Sequence, residues 1–348
     1  MDLRQHLLSG QVIPAHPLAL DTRRRFSEKH QRALTRYYLA AGAGGVAVGV
    51  HATQFEIHEA KCGLLPPVLE LASRTVDDEL AHGSRPFVKI AGVCGARDQA
   101  LREAELARAL GYQAALVSFL ALNGETEEAL LEHVRAIADV LPVIGFYLQA
   151  AVGGRVLSYS FWRRLAGIPA VVAVKIAPFN RYRTLDVVRA VVDSGRKDVA
   201  LYTGNDDTIV TDLLTPFRFG RGRAQADRWI IGGLLGHWGV WCRAAVSMFD
   251  DIKRARAAGQ WDAGWLRKAA AVTDMNAAVF DAAHDFLGCN PGVLEVLRRQ
   301  GLVPTAHCLN PREVLSPGQA EELTRVTRAY PELTDDDFIA KHRDHWLR

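Results

Sequence analysis

Apolar residues fall into two alternating textures along this chain. Short runs, many of them β-branched, recur at 12–16 (VIPAH), 45–50 (GVAVGV), 86–92 (PFVKIAG) and 113–118 (QAALVS), and again at 141–147 (LPVIGFY), 170–176 (AVVAVKI), 198–203 (DVALYT) and 229–233 (WIIGG). They are apolar almost throughout rather than alternating, which predicts parallel strands covered on both faces. Between them lie amphipathic stretches of helical period, such as 97–110 (RDQALREAELARAL) and 125–139 (ETEEALLEHVRAIAD). Eight such strands alternating with helices over about 240 residues predict an α/β chain folded as a (β/α)₈ barrel. A doubly wound open sheet satisfies the same periodicity. From about residue 239 only helical patterns remain, including 262–286 and 316–329. The expected division is therefore a catalytic barrel over 10–250 and a helical C-terminal extension over 251–348.

One polar residue interrupts this pattern where it matters. In PAVVAVKIAP, Lys175 sits inside an apolar run between Pro169 and Pro178. Lysine is almost never fully buried without a partner. A barrel carries its chemistry at the C-terminal ends of its strands, and Lys175 lies near such an end. The same rule selects His16, His51, Tyr147, Asn205, Asp206 and His237. An unperturbed lysine is neutral in only about one copy in a few thousand at pH 7. Burial disfavours the ammonium and makes the amine a Schiff-base nucleophile. Tyr147 closes the fifth strand, one βα unit earlier, and is expected to meet Lys175 and move protons for it. Snorkelling of Lys175 past the strand end to a carboxylate is the plainer alternative.

Composition narrows the class without changing it. The chain of 348 residues is 49% hydrophobic and 23% charged, with a formal net charge of +3. That balance gives no general case for nucleic acid as a partner. Arg218, Arg221 and Arg223 in FRFGRGRAQADR fall between the seventh helix and eighth strand, away from the catalytic face, and read as a solvated loop. Cys62, Cys94, Cys242, Cys289 and Cys308 are odd in number and contain no CxxC. Free thiols in a reducing compartment follow, hence a cytoplasmic location. The first ten residues, MDLRQHLLSG, do not read as a signal peptide, and no run is long enough to span a bilayer. Gly42, Gly44 and Ala47 satisfy the GxGxxA dinucleotide fingerprint, but a helix precedes them and a strand follows. That order is the reverse of what pyrophosphate binding needs, so the glycines read as a helix stop.

The motifs taken together resemble the dihydrodipicolinate synthase and N-acetylneuraminate lyase family of class I aldolases. The likeness runs from about Val12 to Met248, through VIPAHPLALD, GAGGVAVGV, FVKIAGVCGARDQALREAELARALGYQAALV, LPVIGFYLQ, VVAVKIAP and YTGNDD. It implies a (β/α)₈ barrel with Lys175 as the Schiff-base lysine and Tyr147 as the tyrosine of Tyr-Asn-x-Pro. It also implies a small 2-oxo acid or related carbonyl substrate, no cofactor, no metal, and a homodimer or homotetramer. The departures are local. Where the family has Gly-Thr-Thr-Gly-Glu to hold the substrate carboxylate, this chain has Gly49-Val50-His51-Ala52-Thr53. The synthase arginine falls at Val152, with Arg155 as a candidate substitute, and SFLALNG lacks the family's aromatic pair.

These departures speak against dihydrodipicolinate synthase and sialic acid cleavage themselves. The expected activity is a class I aldolase-type lyase: aldol cleavage, condensation or dehydration. Gly49, Val50 and His51 would hold the carboxylate, with His16, Asn205, Asp206 and His237 as further substrate contacts. A metal-assisted lyase or hydrolase using the histidines, or a non-catalytic binding protein on the same scaffold, are the alternatives.

Overall fold

The computed structural model describes residues 1–81, 83, 85–219 and 226–348. Its strands are β1 (Val12–Pro14), β2 (Gly45–Val48), β3 (Val88–Val93), β4 (Ala114–Val117) and β5 (Val143–Leu148). They continue as β6 (Val171–Ala177), β7 (Ala200–Thr203), β8 (Phe217–Phe219), β9 (Ala226–Arg228) and β10 (Gly232–Leu235). Eight of them form one sheet in the order β1-β10-β7-β6-β5-β4-β3-β2, and β8 pairs with β9 alone. The chain divides into two compact units, Met1–Gln11 with Ile90–Leu234, and Val12–Lys89 with Leu235–Arg348.

In the first unit, parallel register pairs join β3 to β4, β4 to β5, β5 to β6 and β6 to β7, and β7 to β10. All seven residues of β6 are buried. This is the two-sided burial that its unbroken apolar sequence calls for. Side-chain caps start the helices that return the chain. Thr126 accepts from the Ala129 amide, Ser158 from Phe161 and Asn180 from Arg183, opening Glu127–Ala138, Tyr159–Ala166 and Arg181–Asp193. Each cap satisfies an amide that the first helical turn leaves without an acceptor. A short helix not anticipated from the sequence, Leu3–Leu8, is tied to this unit by Arg4, which pairs with Asp198 at 2.7 Å.

The antiparallel pair β8–β9 was expected as plain loop. Arg218 lies on it and pairs with Asp227. Arg221 and Arg223 lie outside the described residues.

In the second unit, β1 meets β2 in parallel at Ala15 and Ala47. The helix Glu28–Ala41 ends at Gly42, whose φ of 94° is left-handed and whose N–H caps the helix through Leu39 and Tyr38 carbonyls. Gly42 is therefore a helix stop, as its order in the sequence requires. After β10 the chain is helical: Cys242–Ala258, Gly264–Phe280, Cys289–Arg299, Gln319–Ala329 and Asp336–Trp346. The boundary expected at residue 250 falls inside the first of these helices. Among the described residues no helix is long and apolar enough to cross a membrane.

Candidate active site

Lys175 occupies the fifth position of β6 and is 7% exposed. Its Nζ lies 4.4 Å from the centroid of the Phe146 ring. Among the described residues it makes no hydrogen bond. Burial lowers its pKa from the ordinary lysine value to about 8, while the Asp206 carboxylate pulls in the opposite direction. Lys89, the other lysine in an apolar strand, is handled differently. It donates to Ser73 at 2.8 Å and pairs with Asp77 at 2.7 Å, so its charge is matched within the second unit. Among the described lysines, Lys175 alone combines burial, a lowered pKa and no hydrogen-bonded anion, which is the environment of a nucleophilic amine.

Tyr147 does not meet it. In the β5–β6 register Phe146 stands opposite Lys175, and Tyr147 stands opposite Ile176. Successive side chains of a strand point to opposite faces, so Tyr147 faces away from the amine. Its ring packs on Trp162 of the helix Tyr159–Ala166 at 4.9 Å, and its hydroxyl accepts from the Leu157 N–H at 3.4 Å. Gly145 confirms the parity, because a Cβ there would lie 2.9 Å from Leu165 of the same helix. The position beside the lysine that a proton-shuttling tyrosine would need is filled by Phe146. Tyr147→Phe is accordingly expected to leave the reactivity of Lys175 within about twofold. Thermal unfolding should report a loss of about 1 kcal/mol or less, the worth of one long hydrogen bond.

The loop after β7 explains the glycine in YTGNDD. A Cβ on Gly204 would lie 2.6 Å from Lys175 Cε and 2.8 Å from the Ala177 Cβ. Only glycine leaves the aliphatic stem of Lys175 its course. Asn205, expected as a substrate contact, is spent internally. Its Oδ1 accepts from the Phe179 N–H, and its Nδ2 donates to Thr184 and to Asp212. Asp212, unnoticed in the sequence, is fully buried and also accepts from Thr203 and from Arg181. This brace holds the loop that presents Asp206, which is 4% exposed. Arg155 turns one end of its guanidinium to the backbone, its Nη1 lying within hydrogen-bond distance of the Leu122, Asn123 and Glu125 carbonyls.

The second unit carries the remaining residues selected from the sequence. His16 is completely buried; its Nε2 meets Thr35 at 2.8 Å, and its Nδ1 meets the Pro17 carbonyl at 2.9 Å. Burial pushes its pKa down to about 4, which favours the neutral imidazole, and both ring nitrogens already have protein partners. The Gly49 and Val50 amides both donate to Thr53 Oγ1, and the Gly49 carbonyl meets His58 Nε2 at 2.8 Å. Thr53 in turn donates to the His16 carbonyl at 2.7 Å. The two amides expected to cradle a carboxylate are thereby occupied. His51 is partly exposed and edge-on to Phe55, and remains the polar side chain that this loop offers. His237 sits in a one-turn 3₁₀ helix, edge-on to Trp241, and burial lowers its pKa to about 4.

A sequence profile of the Dihydrodipicolinate synthetase family matches residues 9–217. The chain belongs to that family. Family members include the 4-hydroxy-tetrahydrodipicolinate synthase of Thiobacillus denitrificans, 35% identical over 138 residues, or 39% of this chain and 45% of that enzyme. The corresponding enzyme of Anaeromyxobacter dehalogenans (strain 2CP-C) is 27% identical over 72% of this chain and 75% of its own. The chain thus spans less than half the length of the first of these relatives. Among solved structures, dihydrodipicolinate synthase from Oceanobacillus iheyensis superposes with a TM-score of 0.72 at 17% identity, covering 95% of this chain and 99% of that one. N-acetylneuraminate lyase from Fusobacterium nucleatum gives 0.69 at 15% identity, over 93% and 99%. The eight-stranded parallel sheet with its helices is therefore the family's (β/α)₈ barrel, followed by a helical C-terminal part. Members of the family are lyases of the class I aldolase type.

Proposed function

We propose that this chain is a Schiff-base-forming lyase that condenses Lys175 with a small 2-oxo acid or related carbonyl compound. The observation that carries the reading is the amine itself: buried, held against Phe146, lowered to a pKa of about 8 and without a hydrogen-bonded anion. At pH 7 such an amine is neutral in about one copy in ten, against about one in a few thousand for an exposed lysine. Its lone pair forms the carbon–nitrogen bond while the carbonyl π pair moves to oxygen. The nitrogen gives up one proton and the oxygen takes one to form the carbinolamine; a second proton, drawn from solvent, releases that oxygen as water and leaves an iminium that withdraws electrons from the neighbouring carbon. Asp206 is the carboxyl whose charge acts on Lys175, and we assign it the proton transfers once given to Tyr147. Aldol cleavage, condensation and dehydration all proceed from that one iminium. His51 is the candidate carboxylate contact. The five cysteines, none in a disulfide, agree with a cytoplasmic enzyme, and its family suggests a homodimer or homotetramer.

The metal-assisted alternative loses a ligand, since both ring nitrogens of His16 are engaged. A non-catalytic binding role is favoured by one observation, Phe146 standing where a phenol would serve the imine, and it requires that no imine forms. The pH profile separates these readings. The initial rate of labelling by pyruvate and cyanoborohydride, followed from about pH 6 to about pH 10, should rise about tenfold per unit below about 8 and then level off. A profile still rising steeply at pH 10 would mean an ordinary lysine.

A further inference from the structure

Asp335 stands just before the helix Asp336–Trp346, is 6% exposed, and caps none of the amides of that helix with its side chain. Its carboxyl group reaches other elements of the second unit instead. Oδ2 accepts from the Tyr37 hydroxyl at 2.6 Å and from the Arg243 N–H at 2.9 Å, and Oδ1 accepts from Gln300 Nε2 at 3.3 Å. The Tyr37 hydroxyl itself accepts from the Cys242 N–H at 2.6 Å. These contacts stand in for a missing cap. The helix Cys242–Ala258 follows Trp241, whose side chain has no oxygen to offer, so Asp335 and Tyr37 receive its first amides from elsewhere in the chain. Trp241 holds φ of 49° and ψ of 36°, a left-handed conformation that surrounding structure must impose on a bulky residue. Its ring is edge-on to His237, and Tyr38 donates to the Gly239 carbonyl at 2.8 Å, so the loop after β10 is fixed by the same contacts.

No cation balances Asp335. Among the described residues it forms no ion pair, its three donors are neutral, and the charge of Asp336 acting on it is of like sign. Burial raises the pKa values of Tyr37, Tyr38 and Cys242, so these neighbours stay neutral. The Arg243 guanidinium donates to the Ala41 carbonyl at 3.3 Å, and that of Arg85 to the Ala43 and Leu39 carbonyls at 2.6 and 2.7 Å. Burial accordingly raises the Asp335 pKa to about 6.

We propose that the helix Asp336–Trp346 is a proton-operated strap, which lifts more readily when Asp335 is ionised and then uncaps the helix Cys242–Ala258 and lets the loop 237–241 relax. Ile339 and Trp346, both buried, keep the strap docked most of the time in either state. Lifting returns the carboxyl group to water, where its charge carries no burial penalty. Docking is therefore favoured below the ordinary aspartate pKa, and that advantage is lost as the pH rises to about 6. Hydrogen exchange of the full-length protein, with intrinsic amide rates divided out, tests this beside Asp335→Asn, which keeps an acceptor oxygen and cannot ionise. Between about pH 4.5 and about pH 7 the opening constant of amides in 336–346 and 242–245 should rise at least about tenfold in the unaltered protein. It should stay flat in Asp335→Asn. Tyr37→Phe removes a donor that steadies the anion and should extend the rise to higher pH. A flat profile in the unaltered protein overturns the proposal, as does a rise that Asp335→Asn retains or one confined to 336–346. If Asp335→Asn does not fold, Tyr37→Phe decides, and an unmoved rise overturns the proposal.

Discussion

Lys175→Arg is expected to abolish imine formation and, with it, any lyase activity. Arginine keeps the length and the charge of the side chain, but its guanidinium stays protonated at every pH a protein tolerates and has no lone pair to offer a carbonyl. The change also removes what the site is built to achieve. Lys175 is lowered to about 8 because charge is disfavoured between β5, β6 and β7. A permanent cation placed there brings a desolvation cost that Asp206 only partly offsets. Gly204 allows no sideways escape, since even a methyl group there would lie 2.6 Å from the lysine stem. Activity should therefore fall to background, accompanied by a modest loss of stability. Circular dichroism would verify that the variant is folded. Retention of full activity by folded Lys175→Arg would remove the lysine from the mechanism.

Asp212→Ala is expected to damage the fold more than any other single change considered. The carboxylate is fully buried and accepts from Thr203 at 2.7 Å, from Asn205 at 2.9 Å and from Arg181. Alanine leaves a buried hydroxyl and a buried amide N–H without their acceptor, and Arg181 without its anion. Breaking a buried charged network by removing one partner costs about 3–5 kcal/mol. Arg181 is 38% exposed and recovers some water, so about 3 kcal/mol is the expected loss in urea unfolding. Asp212→Asn keeps one acceptor and the shape, and should cost less. Because the brace also holds the loop bearing Asp206, both variants should slow labelling of Lys175 under conditions where they remain folded. A stability change below about 0.5 kcal/mol in Asp212→Ala would show that the network is not holding this loop.

The elements were legible because a barrel repeats one pattern eight times. Each expected strand is present, and the largest shift is in the last, expected at 229–233 and found at Gly232–Leu235. There the run WIIGG offers glycines on which no face can be marked by polarity. Lys175 was legible for the opposite reason, as a charge in an apolar run, a signal it shares with Lys89. Tyr147 was misjudged because β5 is buried on both faces, VIGFYL being apolar throughout, so neither composition nor alternation tells which residues point toward β6's lysine. A one-residue difference reverses the face. Counting in the register of Phe146 opposite Lys175 requires the paired strands, which one sequence does not contain. His16, Gly49 and Asn205 stand at strand ends, and their partners Thr35, Thr53 and Asp212 lie 19, 4 and 7 residues further along the chain. Whether such a group faces a ligand or another side chain depends on those tertiary partners. Asp212 itself, in IVTDLL, looks like any acid in a helix.

The central claim, that Lys175 is a nucleophile, is tested most directly by reductive trapping and peptide mapping of the unaltered protein. Incubation with pyruvate, then borohydride, should convert the imine into a secondary amine and add one reduced pyruvyl group per chain. Digestion should place that mass on the peptide containing Lys175. The peptide containing Lys89 should stay unmodified, because that amine is committed to Asp77 and Ser73. If pyruvate, glyoxylate and a wider panel of carbonyl compounds leave Lys175 unlabelled, or label Lys89 equally, the account is contradicted.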